Sequence, residues 1–358
     1  MSKQKILISG AGPAGLALGV LLDKEKFDVT LIERRSSFQS IGFAIILWKA
    51  GFDVLKKVMP HVPKKTHVLD KLSIYGGRRV SKLQSIDTEK NAYSIKRADL
   101  VSQLSDAFVE SAGTASVRFN CEIKTTSHLI NGMANVTFIS GESEQYDIVV
   151  LADGMHSNLR DELFTVKTKV HPYQITYSWV NSDTTIKDEA IIGYIRNHVY
   201  LIQSVGDKTL LAYYNRGDSA ENKRFISKLS TAISLDPETP LELNERSSRS
   251  FSSEFVSVKE AYNRNIVLLG DSFHGHPPTL AMGTSLALED AYVLAHELNA
   301  GDYESITLET RLKKYSDSRR MRVKEVYGTQ DMVERFFITR SRAKIAFDTL
   351  AIKYGAWP

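Results

Sequence analysis

The sequence predicts an α/β protein: a parallel-sheet unit with a glycine-rich first turn, an inserted and mostly antiparallel β-sheet segment, and helices at the C-terminus. Three observations predict it. Short apolar runs at Lys5–Ser9, Tyr146–Leu151 and Ile266–Leu269 each end in a glycine or an acid next to glycine, the pattern of strands buried on both faces of a parallel sheet. The stretches 73–95 and 166–260 instead carry short β-rich runs with polar breaks, among them 191–194, 199–204 and 209–215. From Glu309 onward the periodicity is helical.

The first element is the strand Lys5–Ser9. Gly10-Ala11-Gly12-Pro13-Ala14-Gly15 follows at once, then a helix over Leu16–Leu22 and a second strand over Phe27–Ile32 that ends at Glu33. This is G-x-G-x-x-G between strand and helix, with an acid at the end of the next strand, a Rossmann-like nucleotide fingerprint. Gly10 permits the tight turn, Gly12 lets the backbone approach a pyrophosphate, and Gly15 lets helix and strand pack closely. The helix N-terminus directs free N–H groups at the phosphates, and Glu33 is placed to accept from the hydroxyls of a ribose. Arg34 and Arg35 follow it and suit a ribose 2′-phosphate, so this segment alone leaves FAD, NAD and NADP open.

The next two strands narrow the choice. Tyr146–Leu151 runs into Ala152-Asp153-Gly154-Met155-His156-Ser157, with Arg160 beyond. Ile266–Leu269 runs into Gly270-Asp271-Ser272, then His274, Pro277, Pro278 and Gly283, with Leu288-Glu289-Asp290-Ala291 on a helix. Each strand delivers an acid and a glycine to its carboxyl end, where cofactors lie in open α/β sheets. A carboxylate there can hold a sugar or ribityl hydroxyl, and a helix starting near Gly283 directs its dipole at a partially negative ring atom.

Elsewhere, Gly76-Gly77 and Gly206-Asp207 read as hairpin turns, Phe225–Ile233 as a helix, and 236–240 as a loop. The segment 311–344 holds eleven Lys or Arg against four acids, a net of +7. It reads first as a solvated helix face around a Val323, Val326, Met332, Phe336 stripe, second as a face for nucleic acid or an anionic membrane, and third as a docking surface for an anionic cofactor or substrate. His274-Gly275-His276 has no third ligand nearby and makes a poor metal site. Cys121, in a strand-like Phe119–Ile123, reads as a small packed residue. Met282 either faces a cofactor ring or fills a gap.

Composition bounds the rest. The chain has 358 residues, 46 Lys and Arg against 42 Asp and Glu for a net +4, and 42% hydrophobic residues. That is too apolar and too weakly charged for a disordered chain. One cysteine excludes a disulfide scaffold, and 21 Gly with 9 Pro exclude collagen-like or low-complexity chains. The mild charge does not call for a nucleic-acid partner. The apolar stretch Ile6–Leu22 carries four glycines and a proline and is shorter than the about 20 residues of a spanning helix, so neither a signal peptide nor an integral membrane segment is expected. A single cysteine without a targeting segment predicts a reducing, cytoplasmic setting.

Taken together these residues resemble the FAD-dependent monooxygenases related to para-hydroxybenzoate hydroxylase, the group A flavoprotein hydroxylases. The resemblance covers about 300 residues, judged by motif order. It rests on Gly10–Gly15 with Glu33, on Arg97-x-x-Leu100-x-x-x-Leu104, on Ala152-Asp153-Gly154-x-x-Ser157-x-x-Arg160, and on Gly270-Asp271-x-x-His274-x-x-x-Pro278. Gly42 stands where the family has a glycine-rich stretch after the second strand. The chain departs from the family at Leu47-Trp48, at Ser272-Phe273, and at Ala281-Met282-Gly283-Thr284-Ser285, where the family commonly has Gly-Gln-Gly and then Asn.

The resemblance implies an FAD-binding domain assembled from 1–72, 96–165 and 261–300, a substrate-binding sheet from 73–95 and 166–260, and a helical segment 301–358. It implies that Gly10, Gly12, Pro13, Ala14, Gly15, Glu33 and Arg34 hold the ADP half of FAD. Gly42 lies near the flavin ring, Arg97 helps hold the cofactor, Asp153 and Gly154 lie near the pyrophosphate, Gly270 and Asp271 bind the ribityl chain, and Pro278, Gly283 and Thr284 approach the flavin. The implied reaction hydroxylates an aromatic or polycyclic small molecule with NAD(P)H and O2 through a flavin C4a-hydroperoxide. NAD(P)H would bind transiently, since the chain has no second G-x-G-x-x-G. No acid–base residue is singled out. A halogenase, an oxidase or a tetracycline-inactivating oxygenase shares the architecture. A lone Trp179, without Trp-x-Trp-x-Ile-Pro, ranks halogenation below hydroxylation. A non-catalytic FAD-binding regulator is the reading from outside enzymology.

Overall fold

A parallel sheet in the strand order 262–263, 266–268, 148–151, 4–9, 27–33, 117–119 organises the N-terminal half of the computed structural model. The structure describes residues 2–39, 42–59, 64–76, 81–180, 186–195, 198–215, 219–233, 243–300 and 306–338. The first strand, Gln4–Ser9, lies at the centre. It pairs in parallel with Phe27–Glu33 on one side and Ile148–Leu151 on the other, with Ile6 beside both Val29 and Ile148. Ile6, Leu7, Ile8, Val149 and Val150 have no exposed surface, as expected of strands covered on both faces.

One cover is helical. The helix Pro13–Leu21 packs against Arg97–Ala112 and Gly283–Asn299. The approach is close enough that a Cβ on Gly19 would collide with the Phe108 ring. The other cover is the three-stranded meander Ile123–His128, Ala134–Phe138 and Ser143–Tyr146, whose Ala134, Val136, Phe138 and Tyr146 join the same apolar core. Tyr146 therefore does not begin the parallel strand that the sequence suggests. The chain turns a corner at Asp147, whose Oδ2 accepts from the Lys5 amide at 2.7 Å. Likewise Phe119–Ile123 is not continuous strand. Pairing stops at Phe119, Asn120 takes a left-handed φ of 52°, and Cys121 lies in the connection.

The second sheet has seven strands in the order 249–258, 166–180, 208–215, 198–205, 189–195, 71–76, 81–87. All pairs are antiparallel except Glu189–Ile195 with Lys71–Gly76. The turn at Gly206-Asp207 joins two of these strands, and Gly206 has φ +65°. Gly76 ends the strand 71–76, while Gly77 and the loop 236–240 lie outside the described residues. Alternation sorts the two faces. Tyr200, Ile202, Leu211 and Tyr213 pack on Phe225 and Leu229 of the helix Ser219–Ile233. Leu201, Gln203, Ile175 and Tyr177 face the opposite way, toward the parallel-sheet unit. The strand Ala92–Lys96 leaves this sheet and pairs with Ala44–Trp48 and His67–Val68.

The C-terminal helix Leu308–Ile338 bears the solvated-face reading out for most of its described basic run, with Lys313, Lys314, Arg320 and Lys324 exposed, and departs from it at Arg311 and Arg319. Arg311 is buried and donates to the carbonyls of Glu297 and Ala300. Arg319 is buried against Asp290 and Glu289, and Arg322 reaches Glu289. Lys313 and Arg320 remain outside, paired with Asp317. Val323 and Val326 are buried as the stripe predicts; the side chains of Met332 and Phe336, and residues 339–344, lie outside the described set. Tyr315 donates to the Leu268 carbonyl and Gln330 to that of Pro277, so the helix splints the last parallel strand and the loop after it. Among the described residues no helix is long and apolar enough to cross a membrane.

Candidate cofactor and substrate site

A cavity of about 770 Å³ opens where the parallel strands end and is roofed by the seven-stranded sheet. The three stretches of the sequence motifs converge on it. Gly10, Gly12, Pro13, Ala14, Glu33 and Arg34 line it from the first two strands, and Asp153 and Gly154 from the third. Asp271, Pro278, Gly283 and Thr284 line it from the fourth, and Gly42 and Arg97 complete the border. Gly15 and Gly270 do not reach the cavity. They are packing positions: a Cβ on Gly15 would strike the Gly10 carbonyl oxygen, and one on Gly270 would lie 3.2 Å from Ala14 and 3.3 Å from Ala287.

The turn geometry follows from its glycines. Gly10 has φ +110°, and a Cβ there would collide with the Ala152 carbonyl oxygen. Gly12 differs: its φ is −77°, and a Cβ there would meet no protein atom within 4 Å. The space in front of Gly12, at the N-terminus of helix Pro13–Leu21, is open to the cavity, as is that in front of Gly154. Glu33 is held at its strand end, its Oε2 accepting from Ala11 N at 3.1 Å and its Oε1 from Arg35 N at 3.0 Å.

Asp153 opens onto the cavity with protein crowding its other sides. That burial pushes its carboxyl pKa up, against the opposing Ser157 hydroxyl, which donates to Oδ2 at 2.8 Å. Arg160, predicted in the same motif, does not line the cavity. It is buried, donates to the Met155 carbonyl at 2.8 Å and to Asp161, and braces the Asp153 loop. Arg97 donates its amide to the Phe43 carbonyl, and its stem lies against Gly42. Asp271 begins a short helical turn with its Oδ1 toward Gly283.

The two histidines of His274-Gly275-His276 separate in role. His274 Nε2 meets Asp290 Oδ2 at 2.5 Å, and Asp290 also accepts from Gly270 N at 3.1 Å and from Arg319 Nε. Burial opposes the charged form of His274, but the Asp290 carboxylate outweighs it and raises the pKa. Burial likewise acts to raise Asp290, and His274 with Arg319 overcomes it and holds the carboxyl below its usual range. His276 donates from Nδ1 to the His274 carbonyl at 3.0 Å, which leaves Nε2 as a bare acceptor. Burial lowers the pKa of His276 and keeps it neutral on the cavity wall.

Two of the departures from the family pattern, at Trp48 and at 281–285, meet in space. Trp48 donates its amide to Ser285 Oγ at 3.0 Å and its indole N–H to the Leu280 carbonyl at 3.1 Å. Ser272 Oγ accepts from Leu269 N and donates to Leu151 O, tying the last two parallel strands. Ala281 takes a left-handed φ of 52°. Ala281 and Gly283 line the cavity and Met282 does not.

Sequence reasoning expected a covering antiparallel sheet and missed the side chains that face the cavity. Phe43, Ile46, Ile175, Tyr177, Leu201, Gln203 and Phe251 all line the cavity. Phe43 stacks on Tyr177 at 5.5 Å between ring centroids, and Tyr177 meets Phe251 edge-on at 6.0 Å. Burial lifts the Tyr177 phenol above its usual range against the pull of Arg97, so it stays protonated. Alternation within the β-rich runs marks which side chains share a face, but not which face meets the cofactor domain. Cys121 also reaches the wall, its thiol pKa raised by burial.

A parallel sheet whose strand ends, glycine turns and acids line one elongated cavity, closed by an antiparallel sheet, defines a dinucleotide-binding flavoprotein of the two-sheet type. Residues 3–329 match the family model described as FAD binding domain, and the chain belongs to that family, the group A FAD-dependent monooxygenases. A flavin-dependent monooxygenase from an unknown prokaryotic organism is 24% identical over 340 residues, covering 86% of this chain and 84% of that one. Among solved structures, Klebsiella pneumoniae HpxO complexed with FAD and uric acid superposes with a TM-score of 0.80 at 18% identity, covering 98% of this chain and 93% of that chain. P. aeruginosa PqsL in complex with 2-aminobenzoylacetate also gives 0.80 at 18% identity, covering 97% of this chain and 100% of that chain. The open approach to Gly12 and the convergence of Glu33, Asp153 and Asp271 fit FAD on the structure's own terms.

Proposed function

We propose that this protein is a single-component monooxygenase that uses NAD(P)H and O2 to hydroxylate an aromatic or polycyclic small molecule. The observation that carries the reading is the continuity of one cavity from the dinucleotide-type strand ends to an aromatic and aliphatic sheet face. FAD supplies the redox chemistry when bound, reduced by NAD(P)H and activating oxygen for transfer of one atom. The chain's own residues do the positioning. Gly12 and the N-terminus of helix Pro13–Leu21 receive the pyrophosphate, Glu33 a ribose, and Asp271 the ribityl chain. The helix that starts at Gly283 directs its positive end toward the ring-binding part of the cavity. The seven-stranded sheet forms the substrate roof, its Ile175, Tyr177, Leu201 and Phe251 side chains excluding water from the reacting atoms. The ligands named for the two superposed structures, uric acid and 2-aminobenzoylacetate, support a small ring-bearing substrate.

The test is a substrate-stimulated NADPH and NADH oxidation screen on flavin-loaded protein. Oxygen uptake and oxygenated product are measured together. The reading requires a compound for which product forms in proportion to reduced nicotinamide consumed. Peroxide release alone with every compound would make the protein an oxidase, and no oxidation at all would make it a binding protein.

A further inference from the structure

Charge is distributed unevenly around the cavity. Among the described residues, its acidic and basic side chains belong to the strand ends and loops of the nucleotide half, with Arg97 at the border and its stem against Gly42. The sheet face opposite carries no charged group. It presents the Tyr177 and Phe251 rings, the aliphatic Ile175 and Leu201, and one buried amide, Gln203, and Phe43 and Ile46 come up beside them from the segment 42–48. Gln203 is 2% exposed, and its Nε2 donates to Ser94 Oγ at 3.1 Å; Ser94 is fully buried. That bond engages the amide nitrogen, while the carboxamide oxygen accepts from no described residue and opens on the cavity. An amide oxygen in an apolar wall costs stability unless something donates to it.

We propose that the substrate is an uncharged, ring-bearing molecule whose hydroxyl or ring N–H donates to the Gln203 carboxamide oxygen while its ring lies among Phe43, Tyr177 and Phe251. This rests on the monooxygenase reading above. Gln203 is a specificity-determining residue, and the sheet face discriminates against carboxylates because it offers a carboxylate no cation of its own, Arg97 at the border belonging to the nucleotide half.

The experiment titrates FAD-loaded protein with β-naphthol, β-methoxynaphthalene and a hydroxynaphthoate, reading the change in the flavin visible spectrum. β-Naphthol should bind about tenfold more tightly than either partner, the scale of one buried hydrogen bond for the ether and a lower bound for the desolvated carboxylate. Gln203→Leu should abolish the preference for the naphthol over its methyl ether and leave flavin content unchanged. A hydroxynaphthoate that binds as tightly as β-naphthol, the absence of any spectral change with β-naphthol, or an unchanged preference in Gln203→Leu would each overturn the proposal. Flavin uptake is read before any ligand is added, so a protein that takes up no FAD fails the functional reading first and distinguishably.

Discussion

Gly10 and Gly12 stand two residues apart in one turn, and the structure gives them opposite responses to a single methyl. In Gly10→Ala the new Cβ enters the Ala152 carbonyl oxygen at a φ of +110°. Neighbouring backbone must move in the most buried part of the sheet, and a cost of about 3 kcal/mol or more is expected for combined strain and overpacking. In Gly12→Ala the Cβ meets no protein atom, and φ −77° suits alanine. A weaker N-cap costs about 0.5–1 kcal/mol, and the smaller unfolded-state entropy of alanine returns about 0.4–1 kcal/mol. Flavin-free Gly12→Ala should therefore melt close to the unsubstituted protein, and flavin-free Gly10→Ala several degrees lower. Binding should invert the comparison for Gly12. The methyl stands where the pyrophosphate approaches the backbone, and losing one charge-assisted hydrogen bond of about 1.5–3 kcal/mol weakens FAD by about 10- to 150-fold. Thermal unfolding of the flavin-free proteins and fluorescence titration with FAD measure both arms. Full FAD affinity in Gly12→Ala, or a flavin-free melting loss matching that of Gly10→Ala, would refute the assignment of this turn to the pyrophosphate.

Four further outcomes are expected. Glu33→Ala should weaken FAD by about 1–3 kcal/mol in a flavin titration, with little change in the melting of the flavin-free protein. Asp271→Ala should lower the FAD content of purified protein; full occupancy would remove Asp271 from the site. Asp290→Asn removes one of the two carboxylates that hold buried Arg319, leaving Glu289, and should cost about 1.5–3 kcal/mol in urea unfolding, and adding Arg319→Met should recover part of it, since the two share a contact. The pH dependence follows from the same cluster. His274 is raised above 6.5 in the folded protein, so its contribution is complete below that pH and is lost as pH rises through the folded value. Asp290 is depressed below 3.8, so its contribution holds above that pH and is lost as pH falls through the folded value. Urea midpoints measured on both sides should show the decline on the alkaline side disappear in His274→Gln.

Much of this molecule was determined along the chain itself. Strand Gln4–Ser9, the glycine turn, Glu33 and the acids at 153 and 271 are local patterns, because a buried parallel strand needs an uninterrupted apolar run and a tight turn needs glycine where φ is positive. Tertiary structure decided what local patterns do not encode. Tyr146 belongs to the meander because Asp147 binds the Lys5 amide from 142 residues away, and Arg311 and Arg319 are buried because carbonyls and carboxylates elsewhere receive them. The roof is the clearest case. Ile175, Tyr177, Leu201 and Gln203 alternate along their strands as any half-buried strand would. Only the packing of one sheet over the ends of the other turns that face into a substrate wall, since a period of two marks a side of the sheet but not what lies across from it.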